Sequence, residues 1–175
     1  MSSLETIAES KIQAALDRRF IALTSAIVAV TQAMNSRGLL PSSMTVQKIH
    51  GECIALFDQV RDDIKTEYSI VLDETLWPTE GLISRLMLKA SQHFEKVAER
   101  AQGEIANATK SLLNSGMHKS LNEDVPLARD RALTDLSLFV DGHRKVKLNR
   151  SIKTTVLFVP KLLGRLLGLK THESS

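Results

Sequence analysis

The stretch that decides the fold is LDRRFIALTSAIVAVTQAM, residues 16–34. Its apolar residues recur at steps of four and three, a near-heptad spacing typical of helices that pack in bundles or coiled coils. They are Leu16, Phe20, Leu23, Ile27, Val30 and Met34. Polar pairs recur every seven residues on another face of the same helix. We therefore predict a bundle helix here and not a membrane-spanning one.

The same spacing continues on both sides of two loops. We predict helices over residues 4–37, 43–73 and 80–114, and a shorter fourth over residues 124–142. The seam of the second helix comprises Val46, Ile49, Cys53, Leu56, Val60 and Ile64. The seam of the third comprises Leu82, Leu86, Ala90, Phe94, Val97, Ala101, Ile105, Ala108 and Leu112. Gly38 is a candidate C-cap of the first helix, and Thr79 is a candidate N-cap of the third.

Composition agrees with a helical protein. Aromatic residues make up only 4% of the 175 residues, and glycines (8) and prolines (4) are few. An all-β sandwich normally has more β-branched and aromatic residues and more turn residues. We predict an all-α fold: an elongated antiparallel up-down helical bundle with three long helices, a shorter fourth and a basic amphipathic C-terminal tail. Residues 1–142 would form the bundle, and residues 143–175 the tail.

The net charge of +3 conceals an asymmetry between these two parts. Residues 1–142 carry 15 Lys and Arg against 19 Asp and Glu, whereas residues 143–175 carry eight Lys and Arg and one acid, Glu173. A basic segment attached to an acidic body indicates a polyanionic partner for the basic end. Anionic lipid and nucleic acid are both partners of that kind.

The tail combines charge with apolar spacing. Its candidate membrane- or anion-binding residues are Arg144, Lys145, Lys147, Arg150, Lys153, Lys161 and Arg165, with Leu162, Leu163, Leu166 and Leu167 as inserting residues. A cationic amphipathic segment can lie in a membrane interface. With equal weight, the leucines could dock on the bundle or on a second copy of the chain. Nucleic acid ranks third, because bases stack on aromatic side chains and Phe158 is the only Phe, Tyr or Trp in the tail.

Residues that could carry chemistry are few. His50 and Cys53 are three positions apart on the predicted second helix, and His93 lies at the edge of the third seam. A Cys–His pair can supply a nucleophile and its base. However, Cys53 falls on the apolar seam, where a buried and inert thiol is expected. We therefore predict no catalytic residues, no metal site and no cofactor.

Together these features predict a non-catalytic helical interaction module tethered to an anionic membrane surface by its cationic tail. The alternative is a nucleic-acid-associated helical protein that uses the same basic residues on phosphates. The expected partners are an anionic lipid surface or a protein, including a second copy of this chain. We expect a cytoplasmic location, peripheral at the membrane.

Overall fold

The computed structural model describes the backbone of residues 3–40, 42–110 and 115–166, and the side chains of residues 4–40, 42–110 and 119–147. These residues form four α-helices and no strand: α1 (Ser3–Asn35), α2 (Ser43–Glu74), α3 (Glu80–Thr109) and α4 (Ser115–Leu166). The predicted all-α class is thus confirmed for the described part of the chain.

The end of α1 is a glycine-based cap. Gly38 has φ +67°, in the left-handed region that favours glycine. The amide of Gly38 donates to the carbonyl of Asn35 at 2.9 Å, and that of Leu39 donates to the carbonyl of Met34 at 3.0 Å. This pair of bonds is the Schellman motif, which satisfies carbonyls left free at a helix end. The predicted C-cap role of Gly38 is therefore confirmed.

Hydroxyl side chains begin the next two helices. Ser42 Oγ accepts a hydrogen bond from the Thr45 amide at 3.3 Å at the start of α2. Thr79 Oγ1 accepts one from the Leu82 amide at 3.2 Å at the start of α3. Each bond satisfies one of the amides that a helix leaves unpaired in its first turn. The predicted N-cap at Thr79 is confirmed.

The predicted apolar seams form the core. Every residue of the predicted α2 seam is buried, and so is the α3 seam apart from Ala108, which is partly buried, and Leu112, whose side chain lies outside the described residues. In α1, Leu16, Leu23 and Met34 are buried. The other three residues of its stripe pack against the core from partly buried positions. Rings from α2 and α3 meet at the centre, where Phe57 and Phe94 stack with centroids 6.3 Å apart.

Contacts between the helices follow a regular order. Between α1 and α2, Lys11 pairs with Glu67 and Arg19 with Asp63, so positions rise in one helix as they fall in the other. The same opposed order joins α3 to α4, where Glu95 pairs with Arg129 and Glu80 with Arg144. Positions instead rise together between α2 and α4, through His50–Asp124 and Arg61–Asp135.

The fourth helix differs from its prediction. It begins at Ser115, before Asp124, continues through Gly142 and reaches Leu166, so that it has 52 residues and is the longest of the four. A glycine inside a helix costs only about 1 kcal/mol relative to alanine. Just beyond Gly142, the ring of His143 packs on Phe139 with centroids 4.6 Å apart, an i,i+4 contact that favours continuation of the helix. The expectations of a shorter fourth helix and of an end at Gly142 are therefore wrong.

The third helix is also shorter than predicted. It ends at Thr109 and not near Asn114. Thr109 is buried, and its hydroxyl donates to the carbonyl of Ile105 at 2.9 Å. Such a bond offers the backbone an alternative partner near a helix end. Residues 111–114 lie outside the described part of the chain.

Candidate functional site

The basic segment begins where α4 passes the loop that joins α2 to α3, residues 75–79. Arg144 Nη2 lies 2.6 Å from Glu80 Oε1, at the start of α3. Lys147 Nζ donates to the backbone carbonyls of Asp73 and of Thr75, the latter at 2.9 Å. Lys145, between them, is exposed and makes no hydrogen bond or ion pair with the described residues. Of these three predicted site residues, Arg144 and Lys147 therefore contact the bundle, and the Lys145 side chain is free.

Lys147 acts on the end of α2. The last carbonyls of a helix lack backbone partners and carry partial negative charge, which a cation stabilises. Thr75 is the C-cap of α2, and its amide donates to the carbonyl of Val71. The ammonium of Lys147 completes this end by taking two further carbonyls. Lys147 and Arg144 thus contact the bundle, whereas the leucines that could dock on it have side chains outside the described residues.

The remaining predicted tail residues lie farther along the chain. Seven of them belong to the helical backbone of α4, but their side chains are outside the described residues: Arg150, Lys153, Lys161, Leu162, Leu163, Arg165 and Leu166. Leu167 lies outside the described chain altogether. The backbone of α4 continues for about 19 residues past Lys147, roughly 28 Å at the helical rise. Residues 144–166 are therefore one unbroken piece of helix with the bundle-bound part of α4.

The loop beside this basic segment exposes two large apolar side chains that the sequence pattern did not single out. Leu76 is 86% exposed and Trp77 is 56% exposed. Thr75 is partly buried before them and Pro78 is buried after them. Because neither residue belongs to a heptad seam, periodicity gave no signal for them. The only available sign was a tryptophan placed between two predicted helices, next to a proline.

The Cys–His pair does not have the arrangement of a nucleophile and its base. Cys53 is completely buried in the core, and burial raises the pKa of its thiol to about 12. A thiol with such a pKa is almost wholly protonated at neutral pH, whereas the thiolate is the reactive form. His50 Nε2 lies 3.2 Å from Asp124 Oδ2 on α4, so this imidazole is directed to a carboxylate between two helices.

His93 is buried beside a carboxylate of another helix. Its Nε2 lies 2.9 Å from Glu9 Oε1 of α1, a distance that allows an ion pair only when the imidazole is protonated, and the side chain is only 2% exposed. Burial lowers the pKa of His93, although Glu9 opposes this and favours the charged form. Nearby, the Tyr68 hydroxyl donates to the carbonyl of Leu86 at 2.7 Å, and burial raises the pKa of that hydroxyl. The arrangement ties α1, α2 and α3 together.

Two surface grooves have linings that include neither His50 nor His93. One lies between α1 and α2 and is lined by Lys11, Ala14, Ala15, Arg18, Asp63, Thr66 and Glu67. Another lies beside the start of α2 and includes Thr45, Val46 and Asn107. Among the described residues, no three or more His, Cys, Asp and Glu side chains are grouped so that they could hold a metal ion.

Across the described ranges, no helix is both long enough and apolar enough to cross a membrane. In comparisons with known proteins, no family model, no curated protein and no solved structure matches this chain.

Proposed function

We propose that this protein is a non-catalytic helical interaction module, tethered to an anionic membrane surface by its cationic C-terminal tail. The observation that carries the proposal is the continuity of α4. One helix includes both the residues packed in the bundle and the helical backbone of residues 148–166, which carries the basic and leucine positions of the tail. Because the helix is continuous, binding of the tail to lipid would also fix the position of the bundle relative to the membrane.

The bundle in this proposal is an antiparallel up-down arrangement. The opposed order of contacts between α1 and α2 and between α3 and α4 supports it. The ring pair of Phe57 with Phe94 and the bond from Tyr68 to Leu86 have the opposed order expected between α2 and α3. The short loops between successive helices also favour an antiparallel arrangement of neighbouring helices.

The tail has the chemistry that an anionic bilayer attracts. Each Lys or Arg near such a surface contributes about 1 kcal/mol to binding. On a helical backbone, Leu162, Leu163 and Leu166 share one side by their spacing. Apolar residues on one side of a basic helix can enter the boundary between headgroups and acyl chains. The proposed location is accordingly peripheral, on the cytoplasmic face of a membrane.

The burial of the single cysteine supports an interaction role and not a catalytic one. Cys53 is the only cysteine, and it is a protonated core thiol between Ile49 and Leu56. His50 is engaged with Asp124 on α4. Both residues thus contribute to packing between helices.

The test is flotation of the intact protein with vesicles of phosphatidylcholine alone and of phosphatidylcholine mixed with phosphatidylserine. A tail variant, R150Q/K153Q/K161Q/R165Q, removes four positive charges from the distal part of α4. A matched control, R37Q/K48Q/K119Q/R131Q, removes the same charge from exposed positions on the bundle. Circular dichroism checks that both variants stay helical.

We expect the intact protein and the control to float with the anionic vesicles only, and the tail variant to stay in solution. Equal loss in both variants would show attraction to overall charge and would contradict a specific tether. Flotation of none of the three proteins would also refute the proposal. Salt-sensitive binding of duplex DNA or RNA that survives L162S/L163S/L166S, without any flotation, would favour the nucleic-acid alternative.

A further inference from the structure

We propose that Leu76 and Trp77, at the tip of the α2–α3 loop, insert into the same anionic membrane and form a second apolar contact beside the basic segment of α4. The inference rests on the proposed function, because it assumes that the tail binds lipid. It adds a site in the bundle itself and predicts that the side of the molecule carrying the α2–α3 loop faces the membrane.

Leu76 and Trp77 are exposed, whereas the apolar residues on both sides of them are buried. Residues just before the loop, Val71 and Leu72, are buried in the core, and Pro78 just after it is buried as well. Between them, Leu76 is 86% exposed and Trp77 is 56% exposed. Two adjacent large apolar residues in water lose the free energy that burial would supply. Removing them from water by contact with lipid would recover it.

Hydrogen bonds and an ion pair hold the α2–α3 loop in place. The Thr75 hydroxyl donates to the carbonyl of Val71 at 2.6 Å, and Thr79 caps α3. The loop is also tied to α4 on both sides, through Lys147 at Thr75 and Arg144 at Glu80. A loop fixed in this way presents its tip without the entropic cost of ordering it on binding.

The residues around Leu76 and Trp77 favour lipid as the partner of this exposed pair. Lys145 and Val146 are exposed on the turn of α4 that holds the loop, so cationic and apolar groups lie side by side. Tryptophan has an apolar ring and a polar N–H, a combination enriched at membrane interfaces. The exposed acids Asp73 and Glu74 lie next to the loop and repel an anionic surface. The loop therefore contributes apolar contact, and the attraction comes from α4.

Trp77 provides its own readout, because it is the only tryptophan in the chain. The experiment records tryptophan emission of the full chain as phosphatidylcholine–phosphatidylserine vesicles are added, with flotation measured on the same samples. We expect a blue shift of the emission and quenching by lipids brominated in their acyl chains. Access of iodide to Trp77 should fall when vesicles are present.

Two serine variants complete the test. We expect L76S to weaken vesicle binding about tenfold, from the loss of one inserted leucine side chain. The matched control is L127S, because Leu127 is also exposed, at 67%, but lies in the N-terminal part of α4, far along the helix from the loop. L127S should bind as the unmodified protein does.

Failure of the inference can be separated from failure of the proposed function. Flotation with unchanged emission and no bromine quenching would leave the tether in place and overturn the insertion of the loop. Absence of flotation would overturn both. Protection of Trp77 from iodide that grows with protein concentration, without vesicles, would assign the loop to a second copy of the chain and overturn lipid as its occupant.

Discussion

The centre of the α2–α3 contact and the α2–α3 loop use the same kinds of residue in opposite environments. At the centre, Phe57 and Phe94 are buried and stacked. At the loop end, Trp77 and Leu76 are exposed, and the nearest cations bind carbonyls and a carboxylate. The comparison teaches that a position on the inner side of a helix, and not apolar character alone, determines which side chains this bundle buries. An apolar residue in a loop outside that inner side remains available for another surface.

The largest expected effect breaks the central contact. F57A should lower the free energy of unfolding by about 3–5 kcal/mol, because it removes a fully buried ring and leaves a cavity against Phe94. Chemical denaturation followed by circular dichroism measures this change. L138A is the control, since Leu138 is 66% exposed on α4 and should change stability by less than about 0.5 kcal/mol. Equal effects of the two variants would contradict the proposed difference between core and surface.

A smaller effect concerns pH at the centre of the bundle. Burial lowers the pKa of His93 in the folded protein, so the unfolded chain takes up a proton more readily. Stability should be highest above the ordinary histidine pKa of about 6.5 and should decrease as pH falls below it. Glu9 faces the imidazole from α1, and Lys89 and Lys96 act on it from α3.

The measurement is the midpoint of thermal unfolding between neutral pH and mildly acidic pH. H93Q should reduce the slope of this midpoint with pH, whatever its effect on stability at neutral pH. If the unmodified protein became more stable on mild acidification, the charge of Glu9 would outweigh burial. The pKa of His93 would then be raised in the folded protein and not lowered.

The smallest expected effect sharpens the description of the loop end. K147M retains the aliphatic stem but removes the ammonium from the carbonyls of α2, and it should cost about 0.5–1 kcal/mol. K145M removes the same charge from a free side chain and should leave stability unchanged. Denaturation curves of the two variants, measured side by side, test the difference. The same loss in both would remove the capping role assigned to Lys147.

The helices and the core could be predicted because their signal is local. Steps of three and four in α1, α2 and α3 identify many of the buried residues between Leu16 and Ile105. The spacing did not include Tyr68, Val71 and Leu72, which are also buried. Thr79 marks a helix start by its hydroxyl. The length of α4 could not be predicted in the same way. Gly142 is a genuine stop signal in isolation, and the contacts of Arg144 and Lys147 with α3 and α2 are visible only after folding.

The candidate site was predictable only in part, for a similar reason. The charge of the tail is a property of composition, so Arg144, Lys145 and Lys147 were identified from sequence. Their division into bundle-bound and free residues depends on partners about 65 to 75 positions away, as for Lys147 with Thr75. His93 and Glu9 likewise meet from different helices, and no spacing rule connects them.

Truncation after Lys147 tests the central claim most directly, because it keeps the contacts of Arg144 and Lys147 and removes the rest of the tail. A cut at 142 would remove those contacts as well. The account predicts that residues 1–147 melt at the temperature of the intact protein and no longer float with anionic vesicles. Undiminished flotation of the truncated protein, or a large fall in its melting temperature, would contradict a bundle that folds without the tail and a tail that binds the membrane.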